Sequence, residues 1–175
     1  VLDVSGGTPR APEAKAARER FTAAGGATVR EWPGGLRPAL VVDARQAYKD
    51  AAEVERLCGP FLGDDPVFGR MNGLLVADFV DPSRAAVQRG RIDKAPTGLV
   101  LVVGTGAVLL AEPDVLVYAD LARWEIQQRQ RRNEIPSLGA HDQKERPGKL
   151  YKRGFFVDWR AADRLKRTLF DRIDW

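Results

Sequence analysis

The sequence feature that most constrains the fold is a run of five aliphatic residues, Leu99 to Val103 (LVLVV), which ends at Gly104-Thr105-Gly106. An apolar run without alternation is typical of a strand buried on both faces, as in the middle of a parallel sheet. The glycines predict a tight turn at the carboxyl end of this strand. The rest of the chain must therefore supply further parallel strands, and helices that cover the sheet.

Shorter apolar segments alternate with helical patterns elsewhere. Their order predicts an α/β fold, a three-layer sandwich with a mainly parallel sheet. Strands are predicted at Val1–Val4, Thr28–Trp32, Ala39–Val42, Val108–Leu110, Val115–Tyr118 and Gly154–Val157. Helices are predicted at Ala11–Ala24, Ala51–Leu62, Met71–Phe79 (with a strand as the alternative), Ser83–Gln88, Leu121–Glu134 and Arg160–Ile173, and residues 136–149 are predicted to form a loop.

Two of these helices have predicted starts. Asp81 is predicted to cap a helix in which Pro82 takes the first position, and Asp120 to cap the helix that begins at Leu121. A carboxylate at such a position accepts an N–H of the first turn, and proline has no N–H to lose there.

Length and composition indicate one domain, residues 1–175. No apolar run is long enough to span a membrane and no signal peptide precedes the first strand, so a cytoplasmic protein is expected. With Cys58 and His141 as the single residues of their types, a disulfide or a zinc site within the chain is not expected. Because the chain starts without Met and ends without a tail, it is interpreted as a piece of a longer polypeptide.

Positive charge is concentrated in one region. The formal net charge is +4, and residues 129–153 contain eight Lys or Arg against three Asp or Glu. Such a cluster attracts phosphate or a nucleotide, and a loop that folds back over the helix would complete a cationic pocket. A solvated arginine-rich helix is the alternative, and nucleic acid is not expected because the charge forms no extended stripe. The predicted phosphate-binding residues are Arg129, Arg132, Lys152 and Arg153.

Strand ends are the other places where a parallel sheet binds ligands. The loop after the first predicted strand, residues 5–10, lacks the Lys-Ser/Thr of a Walker loop, and Pro9 removes an amide donor. Asp43 follows the strand at Ala39–Val42 and is the candidate catalytic base or metal ligand, with a helix cap as the alternative. The Gly-x-Gly at Gly104 lacks the third glycine of a dinucleotide site.

The order VVDARQAYK, DDPVFGR, LVLVVGTGAVLL and DVLVYADLARWEIQQRQRR resembles the layout of uridine kinase and phosphoribulokinase-like proteins. This resemblance implies a kinase-like fold in which Asp43 stands at the catalytic or magnesium-associated acid and Arg129, Arg131 and Arg132 lie in a lid helix. Because the Walker lysine and hydroxyl are absent, it implies a degenerate, non-phosphorylating domain.

A closer resemblance covers most of the chain. LVYADLARWEIQQRQRR, KLYKRGFFVDWRAADRLKRTLFDRIDW and DDPVFGRM are similar to the N-terminal region of bacterial class I mannose-6-phosphate isomerase-like proteins. In those proteins a C-terminal cupin domain follows, and the resemblance places the zinc and the isomerase chemistry there, with no cofactor in this chain.

Together these observations predict an accessory kinase-like domain that binds a sugar phosphate or a nucleotide. Two alternatives remain open at this point. One is an active phosphotransferase with an atypical phosphate loop. The other is a structural domain that docks on its own cupin domain through an exposed apolar patch near Phe170 and Trp175.

Overall fold

The computed structural model describes residues 38–175, which combine helices with a small sheet. Strands β1 (Leu40–Asp43) and β2 (Val100–Val103) pair in parallel, so that Leu40 lies opposite Val100 and Asp43 opposite Val103. The α/β character and the parallel pairing are confirmed. The strands predicted at Val1–Val4 and Thr28–Trp32, the helix predicted at Ala11–Ala24 and the glycine turn at residues 5–10 lie outside the described residues.

The sheet buries one face against a helix. Val42 of β1 is fully buried in a cluster with Ala44, Ala47, Ala85 and Leu110, which Val102 of β2 also contacts. All four residues of β2 are only half-buried. The prediction that this strand is buried on both faces is therefore wrong for residues 38–175, where the sheet has two strands.

Two helices begin where local sequence signals place them. Helix α1 spans Ala51–Leu62, as predicted, and Asp50 forms a capping box with Glu53. Helix α2 spans Pro82–Asp93, and its N-cap Asp81 accepts the N–H of Arg84 at 2.8 Å. The sequence predicts that this helix stops near Gly90, but it continues through Gly90 to Asp93, because a glycine inside a helix costs only about 1 kcal/mol.

We expect Asp50→Ala to lower the free energy of unfolding by about 1 kcal/mol, because it removes an acceptor for the N–H groups of the first turn of α1. Urea denaturation measures this change. Asp64→Ala, which removes an exposed carboxylate beyond the other end of the helix, is the control and is expected to have little effect. Equal losses in both variants would contradict a capping role.

Predicted elements between β2 and residue 146 are corrected in three places. Residues 107–109 form a 3₁₀ turn instead of a strand. Val115–Tyr118 is not a strand, because the N–H of Leu116 donates to the Asp174 carboxylate and the N–H of Tyr118 donates to the carbonyl of Trp175. Helix α3 spans Arg123–Arg131 and has Ala122 at its N-cap, since the carboxylate of Asp120 binds Lys166 instead.

The C-terminal segment is helical almost throughout. Helix α4 (Pro147–Arg153), a π-helical turn (Gly154–Asp158), helix α5 (Trp159–Leu169) and a 3₁₀ turn (Phe170–Arg172) follow one another directly. The strand predicted at Gly154–Val157 is therefore wrong, and so is the extension of the preceding loop to residue 149. Gly154 is required here, because a Cβ at this position would lie 2.8 Å from the Trp159 ring.

The main core lies between α1, the π-helical turn and α5. Its fully buried members are Val54, Cys58, Val76, Phe79, Val157 and Ala161. The helix predicted at Met71–Phe79 is confined to a 3₁₀ turn, Val76–Phe79. The preceding residues are held in an irregular path because the buried Asn72 amide donates to the carbonyl of Val157 at 3.1 Å. Within residues 38–175 no helix has the length and apolarity needed to cross a membrane.

Candidate functional site

The carboxyl ends of the two parallel strands meet at Asp43 and Gly104. Asp43 accepts the backbone N–H of Arg45 at 2.9 Å and caps the short 3₁₀ turn at Ala44–Ala47, which was the alternative to a catalytic role. It also accepts two side-chain N–H groups of Arg45, with Nε lying 2.8 Å from Oδ2. The side-chain hydrogen bond from Arg45 is the main reason that the pKa of Asp43 lies below its ordinary value.

The Gly-x-Gly loop is hydrogen-bonded at the same edge of the sheet, through Thr105. The hydroxyl of Tyr48 donates to the carbonyl of Thr105 at 2.6 Å, and Gly104 lies beside Asp43, where a Cβ would be in ordinary contact with the carboxylate at 3.5 Å. Burial is the main cause that raises the pKa of Tyr48, with the charge of Asp43 second. Tyr48 therefore serves as a neutral hydrogen-bond donor that joins the two strand ends.

Two of the predicted phosphate ligands lie on or just beyond α3. Arg129 Nε donates to Glu125 at 2.8 Å, while Arg132 pairs with Glu134 and, at 3.5 Å, with Glu125. The hydrogen bond from Arg129 is the main reason that the pKa of Glu125 is lowered. These arginines are thus neighbours, as predicted, but they share a set of carboxylates on an accessible surface.

The other two predicted ligands are turned toward the protein interior. Lys152 is buried, and its Nζ donates to the carbonyl oxygens of Gly63 and Asp65 in the segment that follows α1. Its ammonium group therefore fixes the chain at the end of α1. An anion could reach Lys152 only after these two hydrogen bonds had been broken.

Arg153 is the centre of a buried clamp. Its Nη2 donates to the carbonyl of Leu138 at 2.6 Å, and its Nε lies 3.4 Å from Asp158, which in turn accepts the N–H of Leu138 at 3.0 Å. Leu138 in the 136–146 loop is thereby held through both its N–H and its carbonyl group. Burial raises the pKa of Asp158 to about 6, against the opposing effect of Arg153.

Below the clamp, the loop packs tightly on the core. Gly139 has φ = 67°, and a Cβ there would lie 3.1 Å from Val54 and 3.6 Å from Tyr48. The Ser137 hydroxyl is buried without a hydrogen-bond partner in the part of the chain that the structure describes. Cys58 is buried nearby, and burial raises the pKa of its thiol to about 11, so it is a poor nucleophile.

Four aromatic residues are carried by α3, α4, the π-helical turn and α5, and α3 packs against α4. We define the aromatic face as Trp124, Tyr151, Phe155 and Trp159. The rings of Tyr151 and Phe155 stack with centroids 6.1 Å apart, and Tyr151 meets Trp159 edge-on at 5.5 Å. Trp159 is buried, but Trp124 is 65% exposed and Tyr151 is 45% exposed. Trp159 is therefore part of the packed interior, whereas Trp124 and Tyr151 lie on the surface.

Cations lie over these rings. The guanidinium of Arg131 lies 5.9 Å from the Trp124 ring centroid, that of Arg160 lies 5.0 Å from Phe155, and that of Arg123 lies 5.5 Å from Trp159. Sequence reasoning missed Tyr151 and Arg160. The signal for the rings was present, because Tyr151, Phe155 and Trp159 recur every four residues, which places them on one side of a helix.

Phe170 forms a separate exposed position near the C-terminal residues. Its ring is largely exposed, and Lys166 Nζ lies 5.8 Å from the ring centroid. Phe170 is thus exposed, whereas Trp175 is half-buried, so the apolar patch predicted near both residues is present only at Phe170 of the two. Among residues 38–175 there is no cluster of three or more His, Cys, Asp or Glu that could hold a metal ion.

Comparison with known proteins identifies one family. A family model described as "Domain of unknown function (DUF8485)" matches residues 23–175, which is most of the chain. No curated protein and no solved structure matches.

Proposed function

The chain belongs to the DUF8485 family, and from this premise and the geometry of the site we propose that it is an accessory domain that contributes a binding surface and transfers no phosphoryl group. The observation that carries the proposal is that charged groups at both predicted sites are used to hold the fold. Asp43 is bound by Arg45, and Lys152 and Arg153 bind backbone carbonyls. A ligand would have to replace these hydrogen bonds, and leaving a buried group without a partner costs about 1–3 kcal/mol.

The longer protein that we propose is of the class I mannose-6-phosphate isomerase-like kind. The support is the resemblance of the segment from Lys149 to Trp175, which in the structure forms α4, the π-helical turn and α5. In this proposal zinc and isomerase chemistry belong to a cupin domain, and this chain supports that domain.

We also propose that the complete sheet is larger than β1 and β2, in a three-layer arrangement like that of a P-loop kinase without its Walker loop. Val41 supports this proposal, because it is an exposed valine in a strand that is apolar on both faces. A further layer would cover this side. The strand predicted at Val1–Val4 and the helix predicted at Ala11–Ala24 are the candidates.

The alternative of an active phosphotransferase requires Asp43 to act as a base. Since Arg45 lowers the pKa of this carboxylate, its affinity for a proton is reduced, which disfavours that role. Binding of a sugar phosphate or nucleotide is a narrower proposal. It is best supported at Arg129 and Arg132, which are accessible, and least at Lys152 and Arg153.

Thermal denaturation with Mg·ATP, uridine or mannose 6-phosphate, together with an assay for ADP release, tests the proposal. We expect no ADP release and no stabilisation by Mg·ATP. A ligand at 100 times its Kd would raise stability by about 2.7 kcal/mol, so binding would be visible. Turnover of ATP that disappears in Asp43→Asn would overturn the accessory role. A response to mannose 6-phosphate that disappears in Arg129→Ala/Arg132→Ala would establish the anion site.

A further inference from the structure

We propose that the aromatic face binds an acidic segment of a partner protein, one that inserts apolar side chains between the rings and sets carboxylates against the arginines. This inference rests on the proposed accessory role and names the surface through which it acts. The aromatic face and the cations above it share no residue with the strand ends at Asp43 or with the clamp formed by Arg153 and Asp158.

The rings provide the apolar part of this site. Trp124 and Tyr151 are large side chains that are both well exposed on helices that pack against each other. Trp, Tyr and Arg are the residues that most often dominate the energy of protein interfaces. Tyr151 is held by Phe155 on one side and Trp159 on the other, so that binding would cost it little conformational entropy.

The surface next to these rings is also apolar. Phe156 contacts Phe155 edge-on at 5.0 Å, and a Cβ on Gly69 would lie 3.1 Å from the Phe156 ring. Gly69 of the 64–75 segment therefore lies against Phe156, the chain neighbour of Phe155. Val67 and Phe68 of that segment are both exposed, and the segment is fixed to α4 by Lys152.

The positive charge of the site indicates that its partner is acidic. Within residues 38–175, Arg131 and Arg160 have no carboxylate partner, whereas the salt bridge from Arg123 to Asp163 (2.6 Å) neutralises the third cation. A guanidinium that lies over a ring keeps N–H donors at its edge, and these suit a carboxylate. Two unneutralised arginines beside apolar rings match a short acidic segment better than nucleic acid, which requires an extended basic stripe.

Titration calorimetry at low salt tests this inference with two synthetic peptides of equal length. In the first, glutamates alternate with leucine and phenylalanine, and in the second, glutamines replace the glutamates. We expect the acidic peptide to bind about two- to thirtyfold tighter, because it can form two exposed ion pairs, with Arg131 and Arg160. Arg131→Gln/Arg160→Gln is expected to remove this difference, and Trp124→Ala to weaken binding of both peptides. Trp124 and Arg131 are exposed, and Arg160 is half-buried with one hydrogen bond to the carbonyl of Phe155, so the variants are expected to fold.

Lys94→Gln, which removes an exposed cation at the end of α2, is the matched control and is expected to change nothing. Equal affinity for the two peptides, or absence of binding, would overturn the inference. So would displacement of the acidic peptide by inorganic phosphate, because the surface would then be a general anion site. None of these results involves ATP turnover, so failure here is distinguishable from failure of the accessory role.

Discussion

Phe79→Ala is expected to lower the free energy of unfolding by about 3–5 kcal/mol, the largest effect that we expect from a single core substitution in this chain. Phe79 is fully buried and is the largest side chain in the main core, where it packs among Val54, Val76 and Val157. Removing its ring takes away the transfer free energy of the ring and leaves a cavity that neighbouring side chains fill only in part.

Urea denaturation monitored by circular dichroism measures this loss. Phe68→Ala is the control, because Phe68 is 70% exposed and its removal creates no cavity. We expect this control to change stability by less than about 0.5 kcal/mol. A loss of less than about 1 kcal/mol in Phe79→Ala would contradict the packing described for α1, the 3₁₀ turn and α5.

The second large effect concerns the pH dependence of stability at Asp158. Because burial raises the pKa of this carboxyl to about 6, the folded protein binds a proton between pH 4 and 6 that the unfolded chain releases. The resulting stabilisation is complete below the ordinary pKa near 4 and is lost as the pH rises through about 6. Its size is about 3 kcal/mol, since each pKa unit corresponds to about 1.4 kcal/mol.

Other carboxylates change stability in the opposite direction. The pKa of Asp43 and that of Glu125 are lowered, so the stability that they contribute is lost on acidification. The contribution of Asp158 is therefore measured as the difference between the wild type and Asp158→Asn, a variant that does not titrate. From pH 4 to pH 7 we expect the variant to gain about 3 kcal/mol relative to the wild type.

Urea denaturation at a series of pH values gives this difference. A constant difference for Asp158→Asn would contradict the burial of this carboxylate. A difference that changed with the opposite sign would show that the ion pair with Arg153 outweighs its desolvation.

The parts of the fold that sequence reasoning located are those whose signals are local. The aliphatic run of β2 and the capping residue Asp81 each act within one element, and the structure places those elements accordingly. The parallel pairing followed from the alternation of strands and helices. The number of strands within residues 38–175 could not be predicted in the same way, because burial of a strand on both faces depends on what lies beside the sheet.

The C-terminal segment shows why the rest was missed. Gly154–Val157 contains two phenylalanines and a valine, which favour a strand in isolation. The spacing of Leu150, Val157 and Ala161, which are all buried, is helical and extends beyond both ends of that segment. Tertiary packing therefore decides the conformation, and the signal is visible only over a window longer than one strand.

Prediction of the candidate site was limited for a similar reason. Sequence identified the cations between Arg129 and Arg153 but not the groups that they bind. Lys152 donates to the carbonyl of Asp65, 87 positions away in the chain, and no local pattern predicts that contact. A count of charges therefore predicted an anion pocket where Lys152 and Arg153 bind backbone carbonyls and Arg129 and Arg132 pair with Glu125 and Glu134.

The parallel pairing of β1 with β2 has a consequence for the order in which the molecule assembles. The two strands lie opposite each other although sixty residues separate Leu40 from Val100, whereas α4, the π-helical turn and α5 are joined end to end. Closing a long loop requires an entropy loss before its contacts form, while adjacent helical turns form their contacts at once. The chain is therefore expected to nucleate at its C-terminal helices and to complete the sheet last.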